Sequence, residues 1–366
     1  MYTPSIIEYE NLQKLNMPFF DAYKKIFDDI LQSWWYVLGN NVKSFEQKFA
    51  EYCETKYCVW VANGLDALTL ALRALKLDVW QEVLVPSNTY IATILSIVQN
   101  GLQPVLIEPD IRTYNMDPSK IEEKITRKTK VIMPVHLYGK LCDMEKICEI
   151  AKKHNLYIIE DCAQAHGASY KWKRAWSFWD FWAFSFYPTK NLGALWDAWA
   201  LTCNSEFLKK EIMMLRNYWS EVRYYNELVW YNSRLDEFQA WFLLEKLVYL
   251  DKINAHKRDL ANLYLSWLKE EYIKPVVQEW YYDVYHIFNV RHPRRDALRE
   301  YLAQNNIKTE IHYPVTPNRQ KAMQWILDQQ DTPIAQEIHD TTLSLPISYF
   351  HTQDDIRKVI EVMNAF

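Results

Sequence analysis

Three short stretches of the sequence carry groups that could do chemistry together. Lys190 lies in Ser185-Phe-Tyr-Pro-Thr-Lys-Asn191, directly after an apolar run. Asp161 directly follows a second apolar run, Leu156–Glu160. Gly64-Leu65-Asp66 opens a predicted helix after a predicted strand, where unpaired backbone N–H groups can bind an anion. Each feature alone also has an ordinary explanation: a solvated loop lysine, a carboxylate that caps the next helix, or a common helix-opening glycine.

The combination is more specific than its parts. A helix N-terminus suits a phosphate, a carboxylate at a strand end suits a ring nitrogen, and a downstream loop lysine suits an aldehyde. These are three requirements of one cofactor, pyridoxal phosphate. The pattern predicts a site for this cofactor, built from Lys190, Asp161 and the start of the helix at Gly64.

The elements that must position these groups alternate between apolar runs and helical patterns. This alternation predicts an α/β fold with a mostly parallel central sheet and helices on both faces, with ligands bound beyond the carboxyl ends of the strands. The first fifty residues look helical, with Phe45, Phe49 and Tyr52 on one face. We predict strands at Val59–Ala62, Glu82–Val85, Pro104–Ile107, Lys130–Pro134 and Leu156–Glu160, and helices at Leu65–Leu75, Ala92–Gln99 and Met144–His154.

A change of pattern near residue 245 suggests a second domain. Residues 1–245 are expected to form an N-terminal helical segment and the large cofactor-binding domain, and residues 246–366 a smaller α+β domain. In the second part we predict a strand at Tyr285–Arg291, a helix at Arg295–Asn305 and a last helix near Asp354–Asn364. A chain of 366 residues is long enough for two such units.

Composition excludes several classes of protein. The net charge is −4 without a basic block, which gives no electrostatic basis for nonspecific nucleic-acid binding. No stretch approaches the roughly 18 apolar residues of a membrane span. The six cysteines show no CxxC pair and no metal-binding spacing, so we expect a reduced, cytoplasmic protein without a metal site.

Seven motifs resemble one known family in content and order. The sequence resembles the DegT/DnrJ/EryC1/StrS sugar aminotransferases, pyridoxal phosphate enzymes of fold type I, and within them the subgroup that aminates C3 of dTDP-3-keto-6-deoxyhexoses. The motifs are Ala62-Asn-Gly-Leu-Asp-Ala-Leu68, Val85-Pro-Ser-Asn-Thr-Tyr-Ile-Ala-Thr93, Val135-His-Leu-Tyr-Gly139, Glu160-Asp-Cys-Ala-Gln-Ala-His-Gly167, Phe184-Ser-Phe-Tyr-Pro-Thr-Lys-Asn191, Tyr231-Asn-Ser-Arg-Leu-Asp-Glu237 and Ile311-His-Tyr-Pro314.

The resemblance implies a role for each of a set of residues. Lys190 would bond covalently to the cofactor aldehyde and then move protons at the substrate carbon, and Asp161 would face the ring nitrogen. Gln164 would reach the phenolic oxygen of the ring, and Tyr90 would stack on its face. Gly64, the N–H groups of Leu65 and Asp66 and the Ser185 hydroxyl would hold the phosphate, which Asn232 would reach from a neighbouring subunit. The expected sugar contacts are Tyr187, His312, Tyr313 and His166.

The implied reaction moves an amino group from L-glutamate to a keto sugar nucleotide in an obligate homodimer with shared sites. Some family members carry histidine at the lysine position and deoxygenate the sugar, so Lys190 argues against that outcome. Two alternatives stay open. The same chemistry could act at C4 or on a UDP-linked sugar, or the chain could be a non-catalytic protein that binds sugar nucleotides.

Glycine and tryptophan occur in unusual numbers. Glycine appears 6 times and tryptophan 16 times, and together they approach the usual glycine share of about 7%. Only Trp35 stands where the family has tryptophan; most others stand where it has glycine. We hypothesise that these tryptophans correspond to UGA codons, which the source organism reads as glycine but which were translated as tryptophan in this sequence. The positions are Trp60, Trp80, Trp172, Trp176, Trp179, Trp182, Trp196, Trp199, Trp219, Trp230 and Trp241, with Trp34, Trp267, Trp280 and Trp325 as a second group.

Overall fold

The computed structural model describes residues 6–33, 35–171, 180–217 and 232–366. In these ranges the helices are α1 (Leu12–Asn16), α2 (Phe20–Ser33), α3 (Asn40–Tyr52), α4 (Gly64–Ala74), α5 (Ile91–Gln99), α6 (Met144–His154), α7 (Glu206–Leu215), α8 (Glu237–Leu247), α9 (Leu250–Trp267), α10 (Arg295–Gln304), α11 (Pro333–Thr341) and α12 (Gln353–Asn364).

The strands form one large sheet and two small ones. They are β1 (Tyr57–Val61), β2 (Glu82–Pro86), β3 (Gln103–Ile107), β4 (Thr129–Ile132), β5 (Tyr157–Asp161), β6 (Ser169–Tyr170), β7 (Phe181–Ser185), β8 (Trp199–Cys203), β9 (Tyr281–Tyr282), β10 (Phe288–Arg291) and β11 (Thr342–Leu345). The large sheet has the order β1-β8-β7-β5-β4-β2-β3, and the small sheets pair β10 with β11 and β6 with β9.

The large sheet is mostly parallel, as the alternating pattern predicts. The pairs β2–β3, β2–β4, β4–β5 and β5–β7 are parallel, and only β8 runs antiparallel to its two neighbours. The registers pair Asp161 with Ala183 and Ser185 with Trp199. The carboxyl ends of β5 and β7 therefore meet at one edge of the sheet, which brings Asp161 and Ser185 to the same side of the molecule.

Both faces of the large sheet are covered by helices. Because successive side chains of a strand point to opposite faces, Val59 and Val61 of β1 pack with α4 and α7, whereas Cys58 and Trp60 pack with α3 and α8. On the far side of the sheet, α6 packs against β4 and β5. The expectation of an α/β fold with helices on both faces is confirmed.

Local signals explain how the helices that bear on the site begin and end. Asn63 precedes α4, and its side chain accepts a hydrogen bond from the Asp66 N–H. Asp143 caps α6 in the same way, and α6 ends at Asn155, whose left-handed backbone satisfies the terminal carbonyl groups.

A second core lies around the small sheet of β10 and β11. It buries Leu260 and Tyr264 of α9, Leu298 of α10 and Val359 of α12. The beginning of the described chain joins this core: Ile7 is buried in it and forms a bridge to Ile307, the backbone carbonyl of Glu8 bonds to His351, and Glu10 accepts a hydrogen bond from Ser348. A segment near the N-terminus therefore straps the C-terminal core.

Most predicted elements are confirmed with shifts of one or two residues at their ends. The exceptions lie in the second half of the chain. The predicted strand Tyr285–Arg291 begins only at Phe288, and β8 follows β7 without an intervening helix. The expected domain boundary between residues 245 and 246 falls inside α8 and stays a prediction. No described helix combines the length and apolar character that crossing a membrane needs.

Candidate active site

A cavity of about 480 Å³ lies beyond the carboxyl ends of the large sheet, with a volume typical of ligand sites. Residues that follow β1, β2, β4, β5 and β7 line it, together with four from the C-terminal part of the chain. The structure thus brings most of the predicted site residues to one place: Gly64, Leu65, Tyr90, Asp161, Gln164, Ser185, Tyr187, Lys190, His312 and Tyr313.

Lys190 reaches this cavity from the tight turn that follows β7. Its backbone N–H donates to the carbonyl of Tyr187 at 2.8 Å, and its Nζ lies 3.4 Å from Nε2 of His286. Burial lowers the pKa of the Lys190 amine to about 8, and the charge of Asp161 acts in the opposite direction. A substantial fraction of the amine is therefore neutral near pH 8 and able to attack a carbonyl.

Asp161 is the last residue of β5 and is held on both oxygens. Its Oδ1 accepts from the Ala163 N–H at 3.1 Å and its Oδ2 from the Thr93 hydroxyl at 3.1 Å. Burial raises the pKa of this carboxyl, while the two hydrogen bonds and the charge of Lys190 lower it. The carboxylate is thus fixed in position and faces a cavity that also holds Lys190.

Gln164 is fixed by contacts at both ends of its amide. Its Oε1 accepts from the Tyr138 N–H at 2.6 Å, and its Nε2 donates to the Tyr313 hydroxyl at 3.1 Å. This arrangement orients the side chain towards the cavity and links the large sheet to the segment that carries His312 and Tyr313.

The N-terminus of α4 forms the end of the cavity where a phosphate was expected. Gly64 and Leu65 line it, and Ser185 lies nearby on β7. Asp66 does not line the cavity. Its N–H donates to Asn63 Oδ1 at 2.9 Å, and its carboxylate accepts from the Ser233 hydroxyl at 2.7 Å. The Asp66 N–H is thus engaged in the helix cap, and its expected contact with a phosphate stays a prediction.

Trp199 shares this end of the cavity. A Cβ atom built on Gly64 would lie 2.0 Å from Cζ2 of the Trp199 indole, so the ring packs directly over the glycine. Trp199 is also the β8 partner of Ser185, which puts the two side chains on one face of the sheet.

Aromatic and histidine side chains surround the open side. Tyr90 and Tyr187 are about half exposed, and the Tyr90 ring lies 5.2 Å from that of Tyr313. His312 bonds through Nδ1 to the Ser344 hydroxyl at 2.9 Å. Burial, with the charge of Lys190, lowers the pKa of His312 to about 4, so the ring is neutral at physiological pH.

Like Asp66, two further predicted residues do not line the cavity. His166 is buried, with its ring against Phe184 and Phe186, and its expected sugar contact stays a prediction. Asn232 is exposed and does not line the cavity of its own chain. Its expected role concerned a neighbouring subunit and stays a prediction.

His286 is a cavity residue that the sequence did not reveal. Burial, followed by the charges of Lys190 and Lys257, holds its pKa well below the ordinary value, so the ring is neutral beside the lysine amine. The only signal was a lone histidine in an apolar run, which more often marks a structural residue than a functional one.

Comparisons with known proteins agree with this geometry. The model of the DegT/DnrJ/EryC1/StrS aminotransferase family matches residues 21–364. The chain is 50% identical over 363 residues to the dTDP-3-amino-3,6-dideoxy-alpha-D-galactopyranose transaminase of Aneurinibacillus thermoaerophilus, covering 99% of each chain. It is 41% identical over 340 residues to the dTDP-3-amino-3,4,6-trideoxy-alpha-D-glucose transaminase of Streptomyces venezuelae, covering 92% of this chain and 90% of the relative.

A solved structure supports the fold over almost the whole chain. The crystal structure of S. venezuelae DesV in complex with a ketimine intermediate superposes with a TM-score of 0.95 at 38% identity, covering 98% of both chains.

Proposed function

Because the chain belongs to the DegT/DnrJ/EryC1/StrS aminotransferase family, whose members use pyridoxal phosphate, we propose that it aminates C3 of a dTDP-linked 3-keto-6-deoxyhexose. L-glutamate is the proposed amino donor. The observation that carries the proposal is that Lys190, Asp161 and Gln164 line one cavity beside the N-terminus of α4.

The residues of the cavity fit the cofactor. A partly neutral lysine amine, a fixed carboxylate and an oriented amide suit the aldehyde, the ring nitrogen and the phenolic oxygen. The helix N-terminus at Gly64 suits the phosphate, although the Trp199 indole crowds that end. When bound, pyridoxal phosphate supplies an aldehyde and a ring that withdraws electrons from the substrate carbon.

Lys190 is the proposed covalent and proton-moving residue. Its neutral amine would hold the cofactor through the aldehyde, and the same amine would take up and return protons at the substrate carbon. His286, neutral and 3.4 Å from Nζ, accepts a hydrogen bond from the ammonium form and keeps it pointed into the cavity.

Asp161 has an electrostatic task. Its carboxylate would stabilise a proton on the ring nitrogen of a bound cofactor, and the hydrogen bonds from Thr93 and Ala163 fix the carboxylate in position. Tyr90 would stack on the ring face, and the neutral His312 would donate to or accept from a sugar hydroxyl.

Separate observations support the nucleotide, the amino position and the assembly. The two relatives are named for amino groups at C3 of dTDP-linked sugars, which favours this substrate class. The exposed position of Asn232, outside its own cavity, is compatible with a homodimer that shares its sites. The scattered cysteines favour the cytoplasm.

The test is a spectrum followed by an assay. Protein incubated with pyridoxal phosphate should absorb visible light, and the absorbance should change on adding L-glutamate. With a dTDP-3-keto-6-deoxyhexose, mass spectrometry should detect the amino sugar. Lys190→Ala should lower turnover by about 10²-fold or more, whereas Lys48→Ala, which removes an exposed lysine of α3, should leave it unchanged.

Other outcomes select the alternatives. Turnover only with a 4-keto or a UDP-linked sugar would replace the proposed substrate but keep the chemistry. A protein that binds dTDP-sugar but never shows the cofactor absorbance would favour a non-catalytic binding protein.

A further inference from the structure

We infer that the tryptophans at positions 80, 199, 280 and 325 stand where the gene specifies glycine through UGA codons, and that glycine at 199 opens the phosphate end of the cofactor site. The part that concerns position 199 rests on the proposed function; the part that concerns the codons does not.

Backbone conformation supports the inference at three positions. Trp80, Trp280 and Trp325 have φ values of 67°, 69° and 74°, in the left-handed region that glycine adopts without steric cost. For a bulky side chain this conformation is an outlier that other contacts must stabilise.

Those contacts are missing for the tryptophans and present for two other large aromatic residues with the same backbone. Tyr114 and Tyr138 also have left-handed φ, but their rings are buried. By contrast, the side chains of Trp80, Trp280 and Trp325 are 68%, 54% and 91% exposed. An exposed indole gains little from burial, so nothing at these turns offsets the strain of a side chain.

Each turn has a clear use for glycine. Trp80 lies in the turn before β2 and donates its N–H to the Gly101 carbonyl at 2.8 Å, and Trp280 lies before β9, where its carbonyl accepts from Lys171 at 3.0 Å. These bonds use only backbone atoms. The turns therefore need the backbone conformation but not the side chain.

Position 199 is distinguished by crowding instead of by φ. The Trp199 indole covers Gly64, and Gly64 and Leu65, whose backbone N–H groups begin α4, line the cavity. A phosphate bound to these groups would need the space beside Gly64 and Ser185 that the ring takes up. With glycine at 199, the β8 backbone would remain and this space would open.

The composition explains how one residue type replaced the other. The six glycines are a deficit and the sixteen tryptophans are an excess. UGA differs from the glycine codon GGA only in its first base, whereas the standard tryptophan codon is UGG. If the organism reads UGA as glycine and the gene was translated with UGA as tryptophan, glycine falls and tryptophan rises together.

The first experiment examines the gene and the protein made in the source cells. We expect UGA at codons 80, 199, 280 and 325, UGG at codon 35, and glycine at the four positions in the peptide masses of the native protein. Trp35 is the internal control, since its indole donates to the Val37 carbonyl at 2.9 Å. UGG at the four codons, or tryptophan in the native peptides, would overturn the inference.

The second experiment isolates position 199 without measuring turnover. Pyridoxal phosphate and pyridoxal, which lacks the phosphate, are titrated into the protein with tryptophan at position 199 and into Trp199→Gly. Binding is followed by absorbance. Trp199→Gly should tighten pyridoxal phosphate binding about tenfold or more and change pyridoxal binding much less. Trp199→Ala, which keeps a Cβ in the strand, should give a change of the same sign.

The control is Trp325→Gly, which is remote from the cavity lining and should leave both affinities unchanged. Equal gains for pyridoxal and pyridoxal phosphate, or no gain at all, would overturn the assignment of position 199 to the phosphate. If neither compound binds any variant, the proposed function fails, while the codon result still decides the glycine inference.

Discussion

Lys190 and Asp161 set each other's charge. Burial favours the neutral form of both side chains, and the charge of each opposes that effect in the other. The balance leaves the lysine amine with a pKa of about 8. Such a group titrates close to the pH at which the protein would work, as a proton-transfer residue should.

This balance predicts a pH profile. Since only the neutral amine bonds to an aldehyde, the rate at which pyridoxal phosphate is captured should rise with pH and level off above a midpoint near 8. In Asp161→Asn the carboxylate that raises the lysine pKa is gone, so the midpoint should move to lower pH. Stopped-flow absorbance between pH 6 and about 10 measures both profiles.

The control is Asp197→Asn, another cavity carboxylate that is not among the causes of the Lys190 shift. Its midpoint should stay near that of the parent protein. A midpoint that does not move in Asp161→Asn would contradict the coupling between the two residues.

Sequence patterns could identify site residues only where position along an element implies direction. Lys190 and Asp161 follow apolar runs that become β7 and β5, and strand ends meet at one edge. His166 also follows β5, but its ring turns under the sheet against Phe184. His286 enters from the second core, and no spacing within the sequence connects it with Lys190.

At the scale of elements, the start of α4 combines a stability role with a binding role. Asn63→Ala removes the acceptor of the Asp66 N–H and should lower the free energy of unfolding by about 0.5–2 kcal/mol. It should also change pyridoxal phosphate affinity, because the freed N–H group lies next to the phosphate end. Urea unfolding and absorbance titration measure the two effects.

A second helix cap serves as the control that separates the effect on stability from the effect on affinity. Asp143→Ala removes the cap of α6, away from the cavity lining, and should lower stability without changing the affinity. If both variants alter binding equally, the helix start at Gly64 has no special relation to the cofactor.

The left-handed turns predict substitutions that raise the free energy of unfolding, in contrast to the loss of a helix cap. Trp325→Gly and Trp280→Gly should each raise the free energy of unfolding, by up to about 1–3 kcal/mol, because strain is removed and little buried area is lost. Tyr114→Gly relieves the same backbone strain but loses a buried ring, so it should destabilise. Destabilisation by both tryptophan variants in urea unfolding would show that their side chains contribute packing.

Element predictions failed where a local pattern had a non-local cause. The strand expected from Tyr285 begins at Phe288, because Tyr285 has left-handed backbone that cannot continue a strand. The strand β8 was missed because it pairs antiparallel with β7 and needs no crossover helix. The short strand β6 likewise depends on a distant partner, since Tyr170 pairs with Tyr281 of β9.

At the scale of the whole molecule, the cavity joins two cores. Lys190 and Asp161 belong to the large sheet, whereas His286, His312 and Tyr313 come from the C-terminal part of the chain. A ligand in the cavity contacts both parts and should stabilise them together.

Ligand linkage makes this measurable. Pyridoxal phosphate at one hundred times its dissociation constant should raise the free energy of unfolding by about 2.7 kcal/mol, with one transition seen by probes in both cores. At the same cofactor concentration, Lys190→Ala should be stabilised less, because the covalent contribution is lost. A stabilisation confined to one core would contradict a cavity shared by both.

The strap formed by Ile7, Glu8 and Glu10 has a consequence for synthesis on the ribosome. These residues emerge before the large sheet, whereas their partners Ile307, Ser348 and His351 emerge after it. The strands of the large sheet are complete by Cys203, so that sheet can assemble while translation continues. The strap must therefore remain without its partners while the large sheet is synthesised, and it can close only after His351 has left the ribosome.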